Sequence, residues 1–90
     1  MRDPADTRAI HRRLNRIMGQ LKGIDKMIDD DAATEDILIQ INATKAALHK
    51  MGQALLEIHL SQCVHAHADA EAADAAITEF SKAVELFSRI

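Results

Sequence analysis

Large apolar side chains recur along the chain in three stripes whose members are spaced alternately four and three residues apart. This spacing is typical of amphipathic helices, and it predicts three of them, over about residues 8–28, 34–65 and 70–88. The stripe residues are, in order, Ile10, Leu14, Ile17, Leu21, Ile24 and Ile28; then Ile37, Ile41, Thr44, Leu48, Met51, Leu55 and Ile58; then Ile77, Phe80, Val84 and Phe87. The predicted fold class is therefore all-α.

Helix-capping residues and a break in the pattern locate the predicted helix ends. Thr7, Thr34 and Asp69 each precede or open a stripe and are predicted N-caps. Three consecutive acids, at 29–31, interrupt the first stripe, and like charges at a helix C-terminus oppose its dipole. The first two helices are thus joined by a short loop.

Two long helices joined by a short loop are expected to form an antiparallel hairpin. A hairpin cannot surround its own apolar stripes, so a second copy is expected to close it into a four-helix bundle. The prediction is a three-helix protomer that forms a homodimer or a homotetramer. A monomeric three-helix bundle, in which the third helix folds back over the hairpin, is the alternative.

Composition narrows the class of protein without identifying it. Two aromatic residues and a single proline disfavour an all-β fold, and a single cysteine excludes an internal disulfide. No apolar run approaches the roughly 18–20 residues of a membrane span, and no signal peptide is recognisable. No catalytic motif is found either. We therefore expect a single non-enzymatic domain over residues 1–90, in the cytoplasm and without a membrane partner.

Charge is unevenly distributed, with a net +4 over residues 1–26 and −7 over residues 27–90. Three arginines recur at every fourth position of the first helix, and three more cations lie close to the same face: Arg8, Arg12 and Arg16, with Arg13, Lys22 and Lys26. Such a row suits the phosphates of a nucleic acid, although it also fits an ordinary solvated face. The scarcity of aromatic residues argues against stacking on single strands.

His59 and Cys63 form the clearest candidate metal-binding pair. They are four residues apart in the second helix, so their side chains lie on one face. A thiolate and an imidazole suit Cu(I), Zn(II) or Ni(II). The pair also fits a small core cysteine beside a surface histidine. His65 and His67 are additional candidate ligands near the end of that helix.

Two parts of the sequence resemble a known family. The run HRRLNRIMGQLKGI, residues 11–24, resembles the RL-RIxGQxxGI signature of the CsoR/RcnR family of metal- and thiol-responsive bacterial repressors. The second helix continues the likeness at 36–41, 46–48 and 59–64. The resemblance covers about residues 8–65 in register, and the third helix more loosely.

The resemblance implies a transcriptional repressor that binds double-stranded operator DNA and is released when an effector binds. Family members form a dimer as an antiparallel four-helix bundle and are usually tetrameric. Their basic DNA-binding surface carries over to Arg12, Arg16 and Lys45, with Arg13, Lys22 and Lys50 as further candidates. Their targets are typically metal efflux or detoxification operons.

The resemblance also implies an effector site between subunits, and here the chain departs from the pattern. In the copper-sensing members, a cysteine at the start of the second helix joins a histidine and a second cysteine of the partner. The latter two match His59 and Cys63, but Thr34 stands where the first cysteine is expected. Glu79 matches an acid that orients the histidine ring. Because Cu(I) accepts two or three ligands, it remains the expected effector, with other transition metals open.

Two alternatives remain beside the copper-responsive repressor. One is a repressor that senses persulfide or aldehyde through its thiol, although the family's sensors of these compounds use the cysteine that Thr34 replaces. The other is a metal-binding helical oligomer without ligand-controlled DNA binding, which pairs with a paralogous chain. The basic row favours the repressor, whereas Thr34 favours the second alternative.

Overall fold

The computed structural model describes residues 3–66 and 69–90, and within these residues it contains three α-helices and no strand. Helix α1 spans Pro4–Asp29, α2 spans Thr34–Ala66 and α3 spans Ala70–Phe87. The all-α prediction is confirmed, and the predicted bounds differ by one residue or less except at the start of α1. Among the described residues, no helix is both long enough and apolar enough to cross a membrane.

Helix α1 begins four residues earlier than the sequence pattern predicts. Asp3 is its N-cap, with a side-chain oxygen that accepts a hydrogen bond from the Ala5 backbone N–H at 2.8 Å. Pro4 occupies the first helical position, where its fixed φ suits the helix and its missing N–H costs nothing. The prediction that Thr7 is the cap is therefore wrong, because the Thr7 N–H already makes a helical hydrogen bond to the Asp3 carbonyl.

The loop between α1 and α2 contains a left-handed residue. Asp31 has φ of 55°, and the backbone N–H of Ala32 donates to the Met27 carbonyl at 2.9 Å, which together close α1 with a Schellman motif. At the start of α2, the Ala33 carbonyl accepts hydrogen bonds from the backbone of Asp36 and Ile37. Ala33 is thus at the capping position, and the prediction that Thr34 caps this helix is wrong: Thr34 is the first helical residue.

Helix α3 begins as predicted, with the Asp69 side chain accepting a hydrogen bond from the Ala72 backbone N–H at 2.7 Å. It runs antiparallel to the C-terminal half of α2. Gly52 favours this close contact, because a Cβ there would lie 3.2 Å from side-chain carbons of both Phe87 and Ile90.

The three helices lie in one layer. Helix α2 contacts both α1 and α3, whereas α1 and α3 do not contact each other in the part of the chain described. The molecule measures 59 × 26 × 11 Å, and its shortest dimension leaves no room for a second layer of helices about 8–10 Å away. The radius of gyration is 17.5 Å, against about 12 Å for a compact domain of this length. The third helix therefore does not fold back over the hairpin, as the monomeric alternative requires.

A single layer buries very little apolar surface. Only Ile10, Ile17 and Thr44 are buried among the described residues, and the Thr44 hydroxyl is satisfied by donating to the Gln40 carbonyl at 2.8 Å. Six members of the predicted apolar stripes remain exposed, namely Leu21, Ile28, Ile41, Leu48, Ile77 and Val84, at between 40% and 64% of their surface. The stripes thus predict the helices correctly, but one protomer covers them only in part.

Candidate metal site and basic surface

His59 and Cys63 lie together on α2, as their spacing predicts. The Cys63 Sγ and the His59 Nε2 are 3.9 Å apart, and both residues are half-buried. With metal–sulfur and metal–nitrogen bonds of about 2.3 and 2.05 Å, two ligand atoms lie about 3.8 Å apart in trigonal coordination and about 4.3 Å apart in linear coordination. The observed separation falls between these values. The two donor atoms are therefore close enough to bind one metal ion.

Helix α3 covers one side of this pair with apolar side chains. The Phe80 ring lies 6.0 Å from the His59 ring, centroid to centroid, at an interplanar angle of 34°. Cys63 also lines a groove of about 290 Å³ between α2 and α3, with Leu60, Val64, Ala73, Ala76, Ile77, Phe80 and Ser81. The thiol therefore borders a mostly apolar groove.

The other predicted ligands are not brought to the pair within one chain. His65 is exposed in the last turn of α2, and His67 lies outside the described residues. Thr34 stands 25 residues before His59 in the same helix, about 37 Å away at 1.5 Å per residue. Over residues 3–66 and 69–90, no three His, Cys, Asp or Glu side chains cluster closely enough to hold a metal. The described residues of one chain therefore do not supply a third ligand.

Glu79, the predicted partner of the His59 ring, is exposed on α3. In the described part of the chain the polar contact of His59 is with Cys63, and no hydrogen bond joins it to Glu79. The role of Glu79 therefore stays a prediction.

All six predicted DNA contacts are exposed: Arg12, Arg13, Arg16 and Lys22 on α1, and Lys45 and Lys50 on α2. Among the residues that the structure describes, the one ion pair joins Arg89 to Glu85 at 3.1 Å, so none of these six cations forms an ion pair there. Arg13 and Lys50 line one shallow pocket with Gln53, Ala54 and Glu57, which brings the two helices' charges to a common surface.

The structure also shows contacts of α3 that the sequence analysis missed. The rings of His49 and Phe87 lie 4.8 Å apart, so two aromatic side chains of α3, seven residues apart, each meet a histidine of α2. The spacing of Phe80 and Phe87 predicts one face of α3, but not which residues of α2 it covers.

Several known proteins and one protein family are similar to this chain in sequence. Residues 6–86 match the family described as metal-sensitive transcriptional repressor. The copper-sensing transcriptional repressor RicR of Mycobacterium tuberculosis is 45% identical over 53 residues, or 59% of this chain and 55% of that protein. The copper-sensing transcriptional repressor CsoR of Bacillus subtilis is 46% identical over 55 residues, or 61% and 54%. The chain thus spans about half the length of these curated relatives.

A solved structure extends the likeness over nearly the whole chain. The copper-sensing repressor CsoR with Cu(I) from Geobacillus thermodenitrificans NG80-2 superposes with a TM-score of 0.83 at 34% identity, covering 98% of this chain and 92% of that one. The single-layer arrangement of three helices is therefore shared with a protein of known structure.

Proposed function

The chain belongs to the family of metal-sensitive transcriptional repressors, and from this premise we propose that it is a ligand-responsive repressor that binds double-stranded operator DNA and is released by its effector. The observation that carries the proposal is the thiol–imidazole pair on α2, with 3.9 Å between Sγ and Nε2, in the same protomer as six exposed cations that form no ion pair among the described residues. An effector site and an anion-binding surface are the two parts that such a switch requires. Access to DNA implies the cytoplasm as its location.

We propose a homodimer or homotetramer as the active form. The exposed stripe members of α1 and α2 support it, because apolar surface of this extent is typical of an interface between subunits. A second hairpin packed against the first would cover Leu21, Ile28, Ile41 and Leu48 and complete a four-helix bundle. The same association would allow residues at the start of one α2 helix to approach the end of another.

We propose Cu(I) as the effector, held by His59 and Cys63. The soft thiolate and the imidazole suit Cu(I), and their separation allows both donors to reach one metal ion. The names of the similar proteins, copper-sensing repressors, agree with this choice. His65 and His67 remain candidates for a third ligand, and Glu79 for orienting the His59 ring.

One observation favours a second candidate function. Thr34 offers only a neutral hydroxyl at the expected position of a thiolate ligand, and such an oxygen binds a soft metal poorly. A site reduced in this way is consistent with a metal-binding helical oligomer whose DNA binding no longer responds to the metal. The thiol-responsive alternative is less well supported, because a cross-link within one chain needs a second cysteine and the chain has one.

A gel-shift experiment on DNA from upstream of the protein's own gene tests the proposal. The protein should bind this DNA under reducing conditions, and a stoichiometric amount of Cu(I) should release it. Cys63→Ala should bind DNA but no longer respond to Cu(I), whereas the matched control Ser61→Ala, an exposed neighbour on α2, should respond normally. DNA binding that is indifferent to Cu(I) in the wild type would favour the helical oligomer instead.

A further inference from the structure

Glu57 is an acidic residue in a part of the hairpin that otherwise lacks acids. Residues 7–24 of α1 contain no aspartate or glutamate, and residues 37–66 of α2 contain Glu57 alone. These two stretches carry all six of the proposed DNA contacts. A single carboxylate therefore adjoins a surface whose lysines and arginines have no other acid beside them in these stretches.

The structure brings Glu57 close to two of these cations. It lies seven residues after Lys50, so the two side chains are on the same side of α2, about 10.5 Å apart along the helix axis. Arg13 of α1 lies across that side, and the three exposed residues line one shallow pocket of about 220 Å³ with Gln53 and Ala54. The carboxylate thus shares with two cations the space in which they would meet a phosphate.

The other side of Glu57 offers it no arginine or lysine. There it lines a second pocket with the rings of Phe80 and Phe87 of α3 and of His49 of α2, and the remaining described residues of that lining are uncharged. The two permanent positive charges that share a pocket with Glu57 are therefore both proposed DNA contacts.

Glu57 nevertheless does not close onto either cation. Within residues 3–66 and 69–90, the one ion pair joins Arg89 to Glu85. Charges that are not in contact still interact across the Debye length, which is about 10 Å at 0.1 M salt. An exposed carboxylate at this range lowers the positive potential of the pocket, and no ion pair has to break before a phosphate takes its place.

We propose that Glu57 competes with the phosphates of DNA for Arg13 and Lys50, as an autoinhibitory charge that limits how tightly the protein holds any duplex. The inference rests on the proposed DNA binding and adds to it a residue that opposes binding. Such a residue suits a switch, because an effector typically changes an affinity by about 5–150-fold. DNA held much more tightly than this range can offset would stay bound in the presence of the effector.

The DNA affinity of the reduced, metal-free protein tests the competition. Glu57→Gln keeps the shape of the side chain and removes its charge. One exposed charge pair contributes up to about fivefold and Glu57 faces two cations, so the variant should bind operator and unrelated DNA about two- to tenfold more tightly. The gain should shrink as added salt shortens the Debye length. The matched control is Glu71→Gln, which removes one exposed acid from the first turn of α3 and should leave the DNA affinity unchanged.

Double-mutant cycles distinguish competition from general repulsion of DNA. If Glu57 acts through the two cations, the gain from Glu57→Gln should be smaller in an Arg13→Ala background and in a Lys50→Ala background. The full gain in both backgrounds would show that the carboxylate only repels the phosphates, and it would overturn the competition.

The outcomes also separate the inference from the proposed function. If the wild type binds DNA and Glu57→Gln binds it equally or less tightly, DNA binding stands and the inference is wrong. If only Glu57→Gln binds DNA, the competition is supported in a stronger form, and if neither protein binds, both the proposed function and the inference fail. Light scattering on each variant checks the assembly: a changed mass in Glu57→Gln would place Glu57 between subunits and overturn the inference.

Discussion

Restoring a thiol at residue 34 should convert a two-ligand site into a three-ligand site. In Thr34→Cys, the substituted residue is exposed and is the first residue of α2, one position after the cap at Ala33. The change therefore removes no capping hydrogen bond, which would have cost about 1 kcal/mol. We expect the variant to fold and assemble as the wild type does.

The size of the effect follows from the geometry. A metal site loses about 10–100-fold in affinity when a residue that only hydrogen-bonds to a ligand is removed. A thiolate that binds the metal directly should therefore raise the affinity for Cu(I) by at least about 100-fold. Within one chain residue 34 is about 37 Å from His59, so the gain requires the start of one α2 helix to meet the end of another. The gain should consequently disappear at dilutions at which the oligomer dissociates.

Competition with a Cu(I)-specific chelator under reducing conditions measures the affinity, and DNA release measured on the same samples shows whether the gain reaches the switch. Cys63→Ala should abolish tight binding in both the wild-type and the Thr34→Cys background. If the wild type already binds Cu(I) as tightly as Thr34→Cys does, another ligand completes the site, and His65→Ala and His67→Ala identify it. If neither protein binds Cu(I), the copper proposal is refuted.

Three further predictions test the assembly, the basic surface and the packing of α3. Light scattering at low micromolar concentration should give at least twice the 9.9 kDa chain mass, and a folded monomer would contradict this. Leu48→Glu puts a charge on the exposed apolar face and should reduce the measured mass. Arg16→Ala should weaken binding to operator and unrelated DNA alike and lower the salt slope by about 0.9 per bound protomer; a folded variant with an unchanged slope would place the surface elsewhere. Gly52→Ala should lower the free energy of unfolding, measured in urea, by about 1 kcal/mol. The reason is that overpacking against Phe87 costs about 1–3 kcal/mol, which exceeds the gain in helix propensity. An equal or higher stability would show that α3 shifts to accept the methyl group.

The three helices could be predicted from the sequence because periodicity is a local property. Spacings of three and four residues place apolar side chains on one side of a helix whatever lies opposite, and the predicted bounds of α2 and α3 hold to within one residue. The caps were harder to predict. More than one residue near a helix start can act as the N-cap. Here Asp3, followed by Pro4 at the first helical position, caps α1 in place of Thr7.

The site could be predicted only as far as its residues are close in sequence. His59 and Cys63 share a helix face, so their contact follows from helix geometry alone. The family was also recognisable from the run at 11–24, and the match over residues 6–86 confirms it. The contacts of α3 with α2 depend on tertiary packing, which no spacing within one helix reveals.

In one protomer both the metal site and the hydrophobic core are incomplete. Both follow from the arrangement of the helices in a single layer. A single layer of helices exposes apolar stripe members such as Leu48 on its face, and it also separates the two ends of α2, where residue 34 and the His59–Cys63 pair lie. Burial of the exposed stripes requires a second hairpin, and an antiparallel partner brings the start of its α2 toward the end of the first. Hydrophobic association, which stabilises the fold, would then also assemble the metal site. A substitution that weakens the oligomer should therefore reduce Cu(I) affinity even when it lies far from His59 and Cys63, which is the coupling that an effector-controlled repressor requires.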